Sequence, residues 1–132
     1  MEAVAKLRNC PMSARKMRLV VDNIRGKSVD DALAILRFSK RGGAYWVEKA
    51  LVSAIAKWEN KAEGESADDF NLEVSEAYSN EGPFLKRFRP APHGRAHRIR
   101  KRSNHVTVVV ANQIPLSTET VEAVEVVEED EE

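Results

Sequence analysis

The sequence has little of what builds disulfides, secretory signals or membrane spans. Its single cysteine, Cys10, excludes an intrachain disulfide and fits a reducing compartment. No stretch approaches the roughly 18 apolar residues that a membrane-spanning helix needs, and the first residues contain no apolar run like that of a secretory signal. At 132 residues, there is room for one domain with one modest core. We therefore expect a cytoplasmic protein with no membrane association.

The sequence also lacks the patterns that indicate an enzyme or a metalloprotein. It contains no glycine-rich phosphate loop, no serine nucleophile elbow and no paired-cysteine zinc pattern. The three histidines, His93, His97 and His105, lie in a basic segment that would repel a metal ion. Cys10 has no histidine beside it in the sequence, so we expect a small buried residue rather than a catalytic thiol. We predict no catalytic site, no metal site and no cofactor.

Acidic residues are absent from one long stretch and concentrated in another. None occurs between Glu81 and Glu119, whereas eight basic residues lie in that interval. Residues 117–132 carry eight acidic residues and no basic one, so residues 1–116 hold all 21 basic residues and the other 13 acidic ones, a net charge of +8. Separate blocks of opposite charge say more about partners than the overall net charge of zero.

Apolar residues recur at helical spacing in three segments of the first half. The first predicted helix runs from an N-cap at Ser13 to Gly26, and the second follows from a cap at Ser28. After a break at residues 41–43, the third keeps the helical period for three turns. The apolar stripes are Met17, Val20, Val21 and Ile24; Val29, Ala32, Leu33 and Leu36; and Val47, Ala50, Leu51, Ala54, Ile55 and Trp58.

Strand patterns follow in the second half. Residues 3–9 are predicted to form a short edge strand, and residues 106–110 are a β-branched run typical of a buried strand. In between, Phe70, Leu72, Val74 and Tyr78 alternate with polar residues, which predicts a half-buried strand with these four side chains on its inner face. Together the patterns predict three helices packed on a small antiparallel sheet.

The basic segment between these strands, residues 82–103, is either a disordered loop or a β-hairpin that continues the strands outward. Apolar residues are interleaved with its charges, which favours the hairpin. About ten residues on each side, at about 3.3 Å per residue, would reach on the order of 30 Å from the body. Such a hairpin is too long and too charged to belong to the core.

The charges of this segment are the strongest indication of function. Eight cations without a local acid repel one another unless phosphates neutralise them. Arginine predominates, and its planar fork fits phosphate oxygens and base edges. Phe84, Phe88, His93 and His97 can stack on unpaired bases. A nucleic-acid partner is therefore favoured over a solvated loop or a localisation signal.

The first predicted helix carries a second group of cations. Arg15, Lys16 and Arg18 occupy its opening turns, where the helix dipole disfavours positive charge, and Arg25 and Lys27 flank Gly26. These residues are either ordinary exposed cations or a phosphate-binding face. At this point three classes of protein remain open: a ribosomal component, a free-standing RNA chaperone or translational regulator, and a DNA-bending protein with a β-ribbon arm.

Several motifs, in order and at matching spacing, resemble one known family. They are residues 13–27 (SARKMRLVVDNIRGK), 32–36 (ALAIL), 53–56 (SAIA), 81–83 (EGP), 86–87 (KR) and 94–110 (GRAHRIRKRSNHVTVVV). Over residues 3–112 the chain resembles the family of bacterial large-subunit ribosomal protein number 22. A regulator or a DNA-bending arm has no reason to keep the whole 94–110 pattern, so the resemblance favours the ribosomal class.

The resemblance implies an α+β fold, with three helices packed on a small three-stranded antiparallel sheet and a long protruding β-hairpin. It implies a structural constituent of the large ribosomal subunit that binds large-subunit rRNA, aids assembly and lines the nascent-peptide exit tunnel. The implied partners are that rRNA, neighbouring large-subunit proteins and the nascent peptide.

The resemblance also assigns roles to residues of this sequence. The hairpin tip at the tunnel would be Arg89, Pro90, Ala91, Pro92, His93, Gly94 and Arg95. With the helix cations, the predicted rRNA-binding set is Arg15, Lys16, Arg18, Arg25, Lys27, Lys86, Arg87, Arg89, Arg95, Arg98, Arg100, Lys101 and Arg102.

We expect residues 1–112 to form a single ribosomal-protein domain, with the extended basic hairpin at residues 82–103. Three features depart from the common family pattern. The tip carries fewer fixed charges than is usual, Lys57 stands where an asparagine is usual, and residues 113–132 form an acidic tail, which we expect to be disordered. Our hypothesis for the tail is that it shields the basic hairpin before assembly.

Overall fold

Three helices and five strands make up residues 1–115, the part of the chain that this computed structural model describes. The elements are β1 (Glu2–Cys10), α1 (Ala14–Val21), α2 (Val29–Phe38), α3 (Gly43–Lys61), β2 (Leu72–Glu81), β3 (Leu85–Pro90), β4 (Ala96–Lys101) and β5 (Asn104–Asn112), with short 3-10 turns at Ala67–Phe70 and Pro92–Gly94. From residue 116 onward, the acidic tail and its predicted disorder lie outside the described residues.

The strands form two antiparallel sheets. β5 is the central strand of the larger sheet, between β1 and β2, and β3 pairs with β4 in a separate two-stranded ribbon. The predicted α+β class is confirmed, and β1 is an edge strand as predicted. The basic segment forms a hairpin rather than a loop, because the strands β2 and β5 lead into it from both sides.

Serine caps begin the first two helices where the sequence predicted them. Ser13 Oγ accepts a hydrogen bond from the Lys16 amide at 3.5 Å, and Ser28 Oγ accepts one from the Asp31 amide at 3.4 Å. Such caps satisfy backbone donors that have no partner inside the helix.

The first helix ends earlier than predicted. α1 stops at Val21 rather than at Gly26. The Gly26 amide donates to the Val74 carbonyl at 2.9 Å, and the Val74 amide donates to the Lys27 carbonyl at 2.9 Å. The chain leaves the helix early because residues 26 and 27 pair with β2, a tertiary interaction that local spacing does not reveal.

The core lies between the helices and one face of the larger sheet. Val106, Val108 and Val110 of β5 are fully buried there, and Trp58 of α3 is buried with its ring 5.5 Å from that of Phe70. All the predicted helix-stripe residues belong to this core, with Leu33 and Ile55 only partly buried. Full burial of an aliphatic side chain contributes roughly 1.5–3 kcal/mol, so this layer is the main source of stability.

β2 departs from the predicted alternation at a β-bulge between Val74 and Glu76. Phe70 precedes the strand, in a 3-10 turn. Because a bulge adds one residue to one strand, the faces exchange beyond it. Ser79, predicted to face solvent, is 3% exposed, and Tyr78, predicted to face inward, is 41% exposed. The prediction for these two residues is therefore wrong.

Candidate nucleic-acid interface

The root of the hairpin is a close crossing of two backbones. The Gly82 amide donates to the Ser103 carbonyl at 3.0 Å, and the Ser103 hydroxyl donates to the Pro83 carbonyl. A Cβ on Gly82 would lie 2.7 Å from Ser103 Oγ and 3.2 Å from two ring atoms of His105. Glycine is therefore the residue that lets the two strands leave the body side by side.

A buried asparagine ties this root to the turn before α1. The side-chain amide of Asn104, which is fully buried, donates to the Met12 carbonyl at 2.6 Å and to the Cys10 carbonyl at 3.5 Å. Burial raises the pKa of the neighbouring Cys10 thiol, while its hydrogen bond with Asn104 acts weakly in the opposite direction. Cys10 is thus a small buried residue, as predicted, and its thiolate is scarce near neutral pH.

The shaft of the hairpin, formed by β3 and β4, carries cations on both of its faces. Opposed residues in an antiparallel ribbon share a face. One face holds Lys86, Phe88, Arg98 and Arg100, and the other holds Leu85, Arg87, Arg89, His97, Ile99 and Lys101. Apart from half-buried Ile99, every shaft residue is exposed.

These shaft cations have no anionic partner within residues 1–115, where the ion pairs found involve Asp22 and Glu48 instead. Lys86 and Arg100 lie directly opposite each other, and like charges in that position destabilise a strand pair. A phosphate between them would remove the repulsion. The charge of the ribbon is therefore not balanced by any carboxylate within residues 1–115.

The rings of the two phenylalanines of the hairpin differ in how accessible they are to a partner. The ring centroid of Phe84 lies 5.2 Å from the guanidinium carbon of Arg100 and 6.0 Å from that of Arg102, so this ring already packs against cations. Phe88 is 70% exposed and borders a groove of about 240 Å³ on the shaft. Of the two, Phe88 is the ring that a base can reach.

A tight turn closes the hairpin at its tip. The Ala91 amide donates to the Arg95 carbonyl at 2.7 Å, and His93 and Gly94 both adopt left-handed backbone conformations, with φ of +64° and +69°. The predicted tip, residues 89–95, thus comprises this turn, the last two residues of β3 (Arg89 and Pro90) and Arg95, which precedes β4. Side chains at the turn are exposed except for the half-buried Ala91.

The structure brings the helix cations Arg15 and Lys16 next to the hairpin. With Arg102 they line a cleft of about 560 Å³ between the start of α1 and the hairpin root, which Ser13 and Ser103 also border. The sequence predicted these cations as two separate groups. The structure brings the two groups together around this cleft, which the acidic residue Glu81 also lines.

Arg18 and Arg25 occupy a different position from the other helix cations. Arg18 Nε donates to the Ser79 carbonyl at 3.1 Å, and Arg25 donates from Nε and Nη2 to the Ala77 carbonyl at 3.0 and 2.6 Å. Arg25 also pairs with Asp22 at 3.0 Å. Both arginines therefore bind the edge strand β2, a structural role that their residue types did not predict. All three residues are exposed, but the side chain of Lys27 makes no hydrogen bond to β2 within residues 1–115.

Two lysines of α3 likewise donate hydrogen bonds to backbone carbonyls of β1, at the opposite edge of the sheet. Lys57 Nζ donates to the Val4 carbonyl at 3.2 Å, and Lys61 Nζ donates to the Glu2 carbonyl at 2.9 Å. Cations at sheet edges discourage pairing with other chains. Lys57, which we expected to depart from the family pattern, therefore has a structural role at this edge.

Within residues 1–115, histidine, cysteine and carboxylate side chains nowhere gather in a group that could hold a metal ion. No helix in the same range is long and apolar enough to cross a membrane. The molecule is thus defined as a small α+β protein with a projecting cationic β-hairpin.

The chain belongs to the family described as "Ribosomal protein L22p/L17e", whose model matches residues 5–111. It is 56% identical over 108 residues to the large ribosomal subunit protein uL22 of Christiangramia forsetii, covering 82% of this chain and 80% of the relative. It is likewise 56% identical over 108 residues to the protein of the same name in Flavobacterium johnsoniae, covering 82% and 79%. For the one in Bacteroides fragilis the identity is 54% over 109 residues, covering 83% and 79%.

Family membership confirms the resemblance drawn from the sequence motifs. It also confirms that the chain is a ribosomal protein rather than an enzyme.

Proposed function

We propose that this protein is a structural constituent of the large subunit of cytoplasmic ribosomes, and that it binds large-subunit rRNA through its hairpin. The observation that carries the proposal is the shaft, which is exposed, cationic on both faces and without carboxylate partners within residues 1–115. The names of the relatives indicate that the ribosomal subunit concerned is the large one. We assign residues 1–112 to a single domain that holds this arm.

The two charged faces suggest how the arm aids assembly. Each face can neutralise phosphates of a different RNA segment, so the ribbon holds together segments that would otherwise repel each other. The basic cleft at the root, with Arg15, Lys16 and Arg102, extends this surface onto the body. Lys27 is exposed, and Arg18 and Arg25 have donors left over after binding β2.

We infer that the tip, residues 89–95, lines the nascent-peptide exit tunnel. The closed turn supports this role because it presents the exposed side chains of Pro92, His93 and Arg95 at the far end of the arm. Between Arg89 and Arg95 the turn has only His93 as a titratable group, so its contacts with a nascent chain are mainly steric. Neighbouring large-subunit proteins would contact the body.

Sedimentation of a cell lysate tests the proposal. The full-length protein should travel with the large subunit and stay there through a high-salt wash, because an embedded arm is shielded from exchange with the solvent. A chain that remains at the top of the gradient, or that leaves at moderate salt, would instead be a surface-bound regulator.

A triple variant, Arg98→Ala, Arg100→Ala and Arg102→Ala, tests the arm itself. It should enter the subunit poorly while its body melts normally, and the slope of log affinity against log salt should fall by about two to three units. The matched control changes Lys40, Arg41 and Lys49 to Ala, which removes the same charge from exposed positions of the body. Normal incorporation of the hairpin variant would contradict the assigned RNA-binding role.

A further inference from the structure

Among the elements of residues 1–115, the helices leave one face of the larger sheet uncovered, and this face holds a cleft beside the hairpin root. The helices pack on the opposite face, where Val106, Val108 and Val110 are buried. The cleft, of about 390 Å³, is lined by Lys6, Arg8, Tyr78, Asn80, His105 and Thr107. We call it the sheet-face cleft. None of these six residues belongs to the rRNA-binding set predicted from the sequence.

Strand register arranges these side chains in two rows. Lys6 and Tyr78 lie on either side of Thr107, each paired with it across the sheet. One step nearer the hairpin, Asn80 is paired with His105. The cleft therefore has an aromatic ring on one strand and a cation on the other, with polar groups between them.

The cations of the cleft have no side-chain partner in the part of the chain that the structure describes. Lys6 and Arg8 are exposed, and within residues 1–115 neither side chain forms an ion pair or a hydrogen bond. The carboxylates on this face, those of Glu2, Glu73 and Glu76, lie toward the end of the sheet that is farther from the hairpin. The positive charge is thus concentrated at the hairpin end.

Tyr78 is a large aromatic side chain with no role in the core. It is 41% exposed only because the β-bulge in β2 turns it away from the helices. Exposed aromatic rings on a sheet, flanked by cations, are a recurrent way of binding unpaired RNA bases. His105 is held in place beside it, since its Nδ1 accepts the Asn9 amide at 3.1 Å and so directs the proton of the neutral ring to Nε2.

We propose that the sheet-face cleft binds an unpaired RNA nucleotide, with the base stacked on Tyr78 and the flanking phosphates held by Lys6 and Arg8. Asn80 supplies an exposed amide for the edge of the base. The inference rests on the proposed role as an rRNA-binding protein and adds to it a site that recognises bases rather than charge alone. The cleft adjoins the hairpin root, so one RNA strand can reach both.

The test compares two ten-nucleotide RNA probes, one unstructured single strand and one abasic strand of the same length and charge, on the full chain. Tyr78→Ala should weaken binding of the base-bearing strand about tenfold, a typical loss for one stacked base. Its affinity for the abasic strand should not change. Tyr78→Phe keeps the ring and should bind like the original protein, as should Val52→Ala, which trims a comparably exposed side chain on α3.

Phosphate contact is measured separately, by the salt dependence of binding. Arg8→Ala should reduce the slope of log affinity against log salt by about 0.7 for either strand, and Arg8→Lys should restore it. Equal losses of both strands in Tyr78→Ala would overturn the stacking contact, and so would a Tyr78→Phe variant that binds as poorly as Tyr78→Ala.

A further test is chemical-shift mapping of the unmodified chain, which does not depend on whether a variant folds. The base-bearing strand should move the amide signals of Lys6, Arg8, Tyr78 and His105. If these signals stay still while those of the hairpin move, the cleft does not bind RNA and a protein neighbour is its occupant. Repeating the Tyr78→Ala measurement in the Arg98, Arg100 and Arg102 triple variant separates the two proposals: a base-dependent loss that persists there supports the cleft even if the hairpin contributes no binding.

Discussion

The guanidinium of Arg25 donates two hydrogen bonds, of 3.0 and 2.6 Å, to the single carbonyl oxygen of Ala77. This contact joins the turn after α1 to an edge strand that would otherwise present an unpaired carbonyl. A basic residue can therefore have a structural role first, even in a protein that we propose to bind RNA. The same distinction between structural and RNA-facing cations can be measured residue by residue.

Arg25→Ala should lower the free energy of unfolding by about 1–2 kcal/mol, because a charge-assisted pair of hydrogen bonds is lost from a half-exposed site. Arg15→Ala is the matched control: it removes the same charge from the neighbouring helix, where the side chain has no hydrogen bond within residues 1–115. Urea unfolding should separate them, and RNA affinity should fall more for Arg15→Ala. An Arg25→Ala variant of unchanged stability would contradict the structural role.

Gly82→Ala should destabilise the hairpin root by about 1–3 kcal/mol, because the new methyl group would lie 2.7 Å from Ser103 Oγ. Thermal unfolding of the full chain measures the loss. Gly42→Ala provides the comparison, since a Cβ there meets nothing within 4 Å. Ser103→Ala added to Gly82→Ala should recover part of the loss; no recovery would mean that the crowding arises elsewhere, for example at His105.

The stability of the protein should decrease in alkaline solution partly through Cys10. Its thiol has a pKa raised by burial above the ordinary value of 9.0, so the unfolded chain loses this proton first as the pH rises. The contribution is fully present below about pH 9 and is lost as the pH rises through the folded pKa, at no more than about 1.4 kcal/mol per pH unit. Urea unfolding at several pH values should show a shallower decline for Cys10→Ala, and identical curves would contradict the prediction.

Removal of residues 117–132 should increase nonspecific RNA binding by the free protein. The segment holds eight acidic residues and lies outside the described part of the chain, so the expectation rests on charge alone. The effect should be largest at low ionic strength, where charges act over longer distances. A tail of equal length with glutamine and asparagine in place of its acids should behave like the deletion. Unchanged binding in both proteins would refute the shielding hypothesis.

Much of the architecture was predictable from periodicity and turn chemistry. The stripe from Val47 to Trp58 and the caps Ser13 and Ser28 each depend on residues within a few positions of one another, and each prediction is confirmed. The hairpin was predictable because apolar residues interrupt its charges. The assignments of the rRNA-binding residues and of the tunnel tip remain predictions.

The features that could not be predicted all involve contacts between distant segments. One inserted residue in β2 exchanged the environments of Tyr78 and Ser79, and no local pattern marks such a bulge. The roles of Arg18 and Arg25 depend on which carbonyls the helix meets after folding. A cation looks the same in sequence whether it faces a carbonyl of its own chain or a phosphate of a partner.

The two charged faces of the shaft have a consequence for docking geometry. Each face carries three cations, Lys86, Arg98 and Arg100 on one and Arg87, Arg89 and Lys101 on the other. A ribbon turned over about its long axis therefore offers nearly the same charges, so under the proposed function these charges determine how deep the arm inserts but not at which angle it sits. The angle would come from Phe88, which lies on one face only, and from the body. A damaged arm should thus yield proteins that fail to insert, whereas a damaged body surface should yield proteins that insert but are misoriented.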